Sequence, residues 1–304
     1  MPQAREANLR FEAKIAGIKG LRIIHGRDTE PGEGPYNMFS AGVHGDEAPG
    51  IEAARRLLPY MEGRLEQGTV IFTWGNLDAM ARGKRQVDQN LNRMFQDAAD
   101  LSPEARESRE YARAQELKVP LEEGTPVEAL LDLHGTSNSE TTPHVITEPK
   151  GYELASHLPV DIVVAGFDKF EPGGIDYYAN TQEKIGICVE PGYNGDPDAI
   201  EIAYQSALAF LVAQEHVSGE VARRIQRHWR LFYVAHTNVR YVPVQPTLPD
   251  FTSVAQGQLL GHDGAQEVRV PNGPETSEEA IILFGAKERK PGVEAFLLAK
   301  REDV

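Results

Sequence analysis

The sequence predicts an α/β fold: a central, largely parallel sheet flanked by helices, followed by a smaller β-rich C-terminal domain. Two observations carry this expectation. Over the first 215 residues, short β-rich runs alternate with longer helix-like stretches, the pattern of strands joined by crossover helices. Past residue 218 the texture changes to "LFYVAHTNVRYVPV", "QGQLLGHDG", "QEVRVPNG" and "AIILFG", short β-like runs punctuated by glycine and proline. The expected division is a first domain over 1–218 and a β-rich domain over 219–304.

Five strands are expected in the first domain: 37–43 ("NMFSAGV"), 69–74 ("TVIFTW"), 130–133 within "EALLDLHG", 160–165, and 185–189 ("IGICV"). Between the first two, residues 49–65 set Ile51, Ala54, Leu58, Met61 and Leu65 at steps of three and four. That spacing is helical, although Pro59 should bend or split the helix. A second helix is expected after Asp196, which can cap the free amides. Pro197 suits the first helical position, and "DAIEIAYQSALAFLVAQ" runs apolar on nearly every side, as a buried helix does.

Composition narrows the function. A chain of 304 residues with 40% hydrophobic content can bury a sizeable core. Its formal charge of −15 argues against nucleic acid or an anionic membrane as partner, since both need clustered Lys and Arg. A small molecule or a protein is the better partner. The single cysteine, Cys188, cannot form an internal disulfide, the start "MPQAREANLR" lacks the apolar core of a signal peptide, and no apolar stretch reaches the ~20 residues that span a bilayer. These features point to a soluble, cytoplasmic protein, with the oligomeric state, a homo-oligomer included, left open.

In open parallel sheets, ligands bind at the carboxyl ends of the strands. The run ending at Val43 delivers His44 and Glu47, the run ending at Trp74 delivers Asn76, "ALLDLHG" delivers His134, and "IGICVEPG" delivers Glu190. His44 and Glu47 can meet on one turn, and His134 arrives from another strand. Two histidines and a carboxylate with a fourth position open are a ligand set for catalytic zinc. Asp132 has two readings, a hydrogen-bond partner of a ligand histidine or a cap of the loop. Zinc lowers the pKa of a bound water toward ~7 but still needs a base, and Glu190 is the candidate to take the proton and deliver it to a leaving nitrogen.

The stretch "ARGKRQVDQNLNRMF" at 81–95 places Arg82, Lys84, Arg85 and Arg93 in an acidic protein. It reads either as a solvated loop or as an anion pocket, in which one arginine grips a carboxylate and another stabilises an oxyanion. Asn92 and Asn76 add amide groups to the candidate substrate contacts.

Taken together, "HGDE" at 44–47, "GNLDAMARGKRQVDQNLNRMF" at 75–95, "LDLHG" at 131–135, "FEPGG" at 170–174 and "VEPG" at 189–192 resemble the succinylglutamate desuccinylase/aspartoacylase family, a branch of the zinc carboxypeptidase superfamily. "GQLLGHDG", "AIILFG" and "KPGVEAFLLAK" are similar to its C-terminal β domain. The resemblance implies a zinc-carboxypeptidase-like catalytic domain with a central mixed sheet, partly shielded by the C-terminal domain. It also implies zinc-dependent cleavage of an N-acyl amino acid, at a carbon–nitrogen bond other than a peptide bond, with one zinc per chain. By position, His44, Glu47 and His134 would be the zinc ligands and Glu190 the base. Arg85 would lie near the scissile carbonyl, with Asn92 and Arg93 holding the substrate's α-carboxylate.

The chain also departs from the family. Where the family reads Asp-x-Asn-Arg, this chain has Asn90, which puts the support of Arg93 in question. "GTSNSETT" after His134 lacks the arginine of desuccinylases, and "IDYYANTQEK" lacks the one by which aspartoacylases grip a side-chain carboxylate. Two other readings compete with a deacylase: a metallocarboxypeptidase acting on short peptides, and a binding module that keeps the fold without the chemistry.

Overall fold

The protein is described by a computed structural model covering residues 2–273, 280–285 and 287–304. Its strands are β1 (Leu21–His25), β2 (Tyr36–Ala41), β3 (Thr69–Trp74), β4 (Ala129–Leu133), β5 (His144–Thr147), β6 (Ile162–Ala165), β7 (Ile185–Glu190), β8 (Arg227–His236), β9 (Tyr241–Pro243), β10 (Thr252–Val254), β11 (Leu259–Asp263), β12 (Gln266–Arg269), β13 (Ala280–Leu283) and β14 (Glu294–Glu302). Eleven of them form one mixed sheet in the order β1-β3-β2-β4-β7-β5-β6-β8-β14-β13-β10, and β12-β11-β9 form a separate antiparallel sheet. No helix among the described residues is long and apolar enough to cross a membrane.

The block β3-β2-β4-β7 is parallel throughout, and its register sets Ala41 beside both Trp74 and Leu133, and Leu133 beside Val189. The chain therefore leaves all four strands along one edge. Both faces of this block are covered. On one, the helices Ala48–Arg64 and Pro197–Ala213 bury Leu57, Met61, Ala203 and Phe210 against Phe39, Leu131 and Val189. On the other, Phe11 and Ile15 of the helix Pro2–Ile15, with Ala114, Leu117 and Ile175, cover Met38, Ile71 and Leu130. Burial on two faces explains why these strands read as continuous apolar runs. Phe39 and Phe210 meet edge to face at 5.1 Å, and burying each such side chain contributes roughly 1.5–3 kcal/mol.

The structure narrows one helical expectation and corrects another. Ala48–Arg64 is one helix of 17 residues with Pro59 inside it, not split. Pro59 lies on the exposed side, where water can satisfy the carbonyl that loses its partner, while the buried face of Ile51, Ala54, Leu57 and Met61 holds the helix to the sheet. Pro197–Ala213 starts as expected, with the Asp196 carboxylate accepting from the Asp198 amide at 2.9 Å. It is not buried all round: Ala203, Ala207 and Phe210 enter the core, while Ile202 and Leu208 are half-buried and Glu201 and Gln205 face solvent.

Two strands were not expected. β1 borders β3 antiparallel at the sheet edge, and β5 runs antiparallel to β7 with His144 opposite Glu190. Beyond residue 219, β8 pairs in parallel with β6, so β8, β14, β13 and β10 prolong the main sheet.

Candidate active site

The segment after β2 turns at once into the helix Ala48–Arg64, with Glu47 at its N-cap. The first turn of that helix lies against the end of β4. A Cβ on Gly50 would stand 2.2 Å from the Leu133 carbonyl oxygen, so only glycine permits this approach. As a result Glu47 comes between two imidazoles. Its Oε1 is 2.7 Å from His44 Nδ1, its Oε2 is 2.8 Å from His134 Nδ1, and the rings sit 5.2 Å apart, centroid to centroid. The Gly135 amide and Arg85 Nη1 also donate to this carboxylate, at 3.2 and 2.9 Å.

The outer ring nitrogens are engaged as well. His134 Nε2 donates to Asp132 Oδ2 at 2.6 Å, which answers the question of Asp132's role, and His44 Nε2 lies 2.9 Å from Asn90 Oδ1. All four side chains are strongly buried or half-buried. With Nε2 held on the outside, each Nδ1 faces Glu47. One nitrogen from each histidine and one carboxylate oxygen lie within 4.8 Å of one another. Two imidazoles and a carboxylate gathered this closely are a donor set that fits a divalent cation such as zinc.

Glu190 ends β7 beside this group, one of its carboxylate oxygens within 4.8 Å of a His134 ring nitrogen and of Cys188 Sγ. Its Oε2 is buried with no hydrogen-bond partner among the described residues. Burial pushes its carboxyl up to about 8; His134 and Arg85 oppose the rise, and the Glu47 and Asp132 carboxylates add to it. The Cys188 thiol, also buried, is pushed well up by desolvation, against the pull of His134, the environment of a small apolar side chain rather than of an activated thiolate.

The loop from Gly83 to Arg93 is shaped by a residue that sequence reasoning missed. Glu110, buried on the helix Arg109–Lys118, accepts from three consecutive amides, those of Val87 at 2.7 Å, Asp88 at 3.2 Å and Gln89 at 3.1 Å. Arg113 of the same helix caps the end of β3, donating to the Trp74 and Gly75 carbonyls at 2.6 and 2.9 Å. Asn76 belongs to this scaffold: its oxygen accepts from the Ala79 amide and its nitrogen donates to Glu110. Arg82 and Lys84 are exposed.

Farther along the loop, Arg93 donates to Glu171 and to the Asn92 carbonyl, while Asn92 Oδ1 is buried without a partner among the described residues. The "EPGG" turn permits this packing. Gly173 adopts φ +105°, and a Cβ there would lie 2.7 Å from the Arg93 carbonyl oxygen. The fold thus gathers His44, Glu47, His134, Arg85 and Glu190 around one point, sets Asn92 and Arg93 beside the Glu171 turn, and ties Asn76 to Glu110. Glu110 gave no sequence signal beyond being a carboxylate, and Glu171 was visible only as part of the "FEPGG" motif; the tertiary fold brings both to the loop.

A family model described as the succinylglutamate desuccinylase/aspartoacylase catalytic domain matches residues 33–215. A succinylglutamate desuccinylase of Pseudoalteromonas atlantica is 32% identical over 105 residues, which is 34% of this chain and 27% of that protein. The match thus spans about a quarter of that relative's length. A succinylglutamate desuccinylase of Burkholderia orbicola is 26% identical over 279 residues, 86% of this chain and 80% of the relative. The crystal structure of a succinylglutamate desuccinylase from Vibrio cholerae superimposes with a TM-score of 0.73 at 20% identity, covering 93% of this chain and 86% of that one. At that identity the superposition speaks for a shared fold.

Proposed function

The chain belongs to the succinylglutamate desuccinylase/aspartoacylase family, and from that premise we propose that it is a zinc-dependent deacylase. It would hydrolyse the amide bond of an N-acyl amino acid or a related small N-acyl compound bearing a carboxylate. The observation that carries the proposal is the convergence of His44, Glu47 and His134 on one point, with the Glu190 carboxylate beside it, its Oε2 unpartnered among the described residues.

His44, Glu47 and His134 would hold one zinc, which supplies a Lewis acid that polarises a carbonyl and acidifies a water. Glu190 acts as the base. Its carboxylate lies beside the proposed ligands with Oε2 unpartnered among the described residues, which suits a group that must first accept a proton from water and then release it to the leaving nitrogen. Arg85, anchored through Glu47 and half exposed, offers its remaining donors to the developing oxyanion. Arg93, steadied by Glu171 and the Asn92 carbonyl, uses two of its five N–H groups there and keeps the others for a substrate carboxylate. Asn92 supplies an amide at the same place.

Amine release from a panel of N-acetyl and N-succinyl amino acids, run beside unblocked dipeptides, tests this reading. Hydrolysis of N-acyl amino acids by the zinc-loaded protein supports it. Cleavage confined to the peptides would replace it with a carboxypeptidase, and no hydrolysis of either set would leave it without an activity.

A further inference from the structure

The two histidines of the proposed centre are held by unlike partners. His134 Nε2 donates to the Asp132 carboxylate, whereas His44 Nε2 meets the side-chain amide of Asn90. An amide can present either an oxygen or an NH₂ group, and here the choice is settled by a second contact. Asn90 caps the short helical turn Leu91–Arg93, and its Oδ1 accepts from the Asn92 amide at 3.0 Å. A backbone N–H can only donate, so the atom facing Asn92 is the oxygen, and the same oxygen lies 2.9 Å from His44 Nε2. His44 must therefore carry its proton on Nε2, which leaves the Nδ1 lone pair directed at Glu47.

We infer that Asn90 is a positioning residue of the metal centre: it fixes the tautomer and orientation of His44 as Asp132 does for His134, but without a negative charge. This inference rests on the zinc reading of the site. A carboxylate behind a ligand histidine raises the basicity of the imidazole, and a neutral amide does so much less. The centre is therefore built unequally, with His134 the stronger donor and His44 the weaker. Arg85, bonded to the Glu47 carboxylate, withdraws charge from the same half of the site. An aspartate at position 90 could accept both existing hydrogen bonds in the same geometry, since Asp and Asn are close in shape and both cap helices.

The test is zinc affinity, measured by competition with a chromophoric chelator, for the wild type, Asn90→Asp and Asn90→Leu. It is paired with the ring N–H resonances of the metal-free proteins. Asn90→Asp should bind zinc about tenfold more tightly, and Asn90→Leu about 10- to 100-fold more weakly, the usual range for an outer partner of a metal ligand. The His44 Nε2 proton should be protected from exchange in the wild type and Asn90→Asp and lost in Asn90→Leu. Affinities within twofold of one another, or a wild-type His44 without a protected Nε2 proton, would overturn the inference. Should Asn90→Leu not fold, the comparison of wild type with Asn90→Asp decides alone. A wild type that binds no zinc overturns both the zinc reading and this inference, whereas zinc bound with equal affinity by all variants overturns only the second.

Discussion

The side-chain amide of Asn76 donates to the buried carboxylate of Glu110 at 3.0 Å, joining the end of β3 to the helix Arg109–Lys118. That carboxylate also takes the amides of Val87, Asp88 and Gln89. It organises the loop that carries Arg85, Asn90, Asn92 and Arg93 without touching the proposed metal ligands.

Removing this carboxylate should loosen the loop. In Glu110→Ala, three backbone amides and the buried Asn76 lose their acceptor. The expected cost is about 1–3 kcal/mol of stability, the range for buried donors left unsatisfied. Thermal and denaturant melts read the loss; a variant as stable as the wild type would show that the loop does not depend on Glu110.

Glu190→Gln separates chemistry from metal binding. The variant should keep its zinc and lose about 100- to 10,000-fold in kcat/KM, the usual contribution of a positioned base. Near-wild-type turnover would remove Glu190 from the mechanism.

The same substitution has a pH signature. In the metal-free protein the Glu190 carboxyl is raised from 4.5 to about 8. Between those values the folded state keeps a proton that the unfolded chain releases. This group's contribution is therefore most favourable below about pH 4.5 and is lost as pH rises toward 8. Melts of metal-free wild type and Glu190→Gln should converge at low pH, with the variant gaining relative stability as pH rises; a difference independent of pH would contradict the assignment. In the loaded enzyme the neighbouring cation favours the carboxylate, so the acid limb of kcat/KM should lie below pH 8.

Gly173→Ala probes the turn behind Arg93. The new methyl group would meet the Arg93 backbone in a conformation with φ +105°, at a cost of about 1–3 kcal/mol. Displacement of Arg93 should raise KM for a carboxylate-bearing substrate more than it lowers kcat. An unchanged KM would mean that Arg93 does not hold the substrate.

The parallel strands and the chemistry at their ends were legible in the sequence for one physical reason. Strands buried on both faces must be apolar throughout, so a histidine or carboxylate directly after such a run marks the sheet edge, as His44, His134 and Glu190 do. β1 and β5 escaped notice because each is short, and "LRIIH" and "HVIT" carry polar ends that interrupt the apolar run. The continuation of the main sheet by β8 and β14 is a matter of pairing, which strand composition does not encode. The contacts of the supporting carboxylates are hidden for a related reason. Glu110 lies 21 to 23 residues from the amides it holds, and Glu171 lies 78 from Arg93, separations at which no local spacing rule applies. Asn90 was visible as a departure from the family pattern, but its contact with His44 was not.

The central claim is that His44, Glu47 and His134 form one metal centre, and elemental analysis of the purified chain, with His134→Ala prepared in parallel, tests it most directly. The account predicts about one zinc per chain in the wild type and a large loss in the variant. A wild type that neither retains nor takes up zinc, or a variant that holds as much zinc as the wild type, would contradict it.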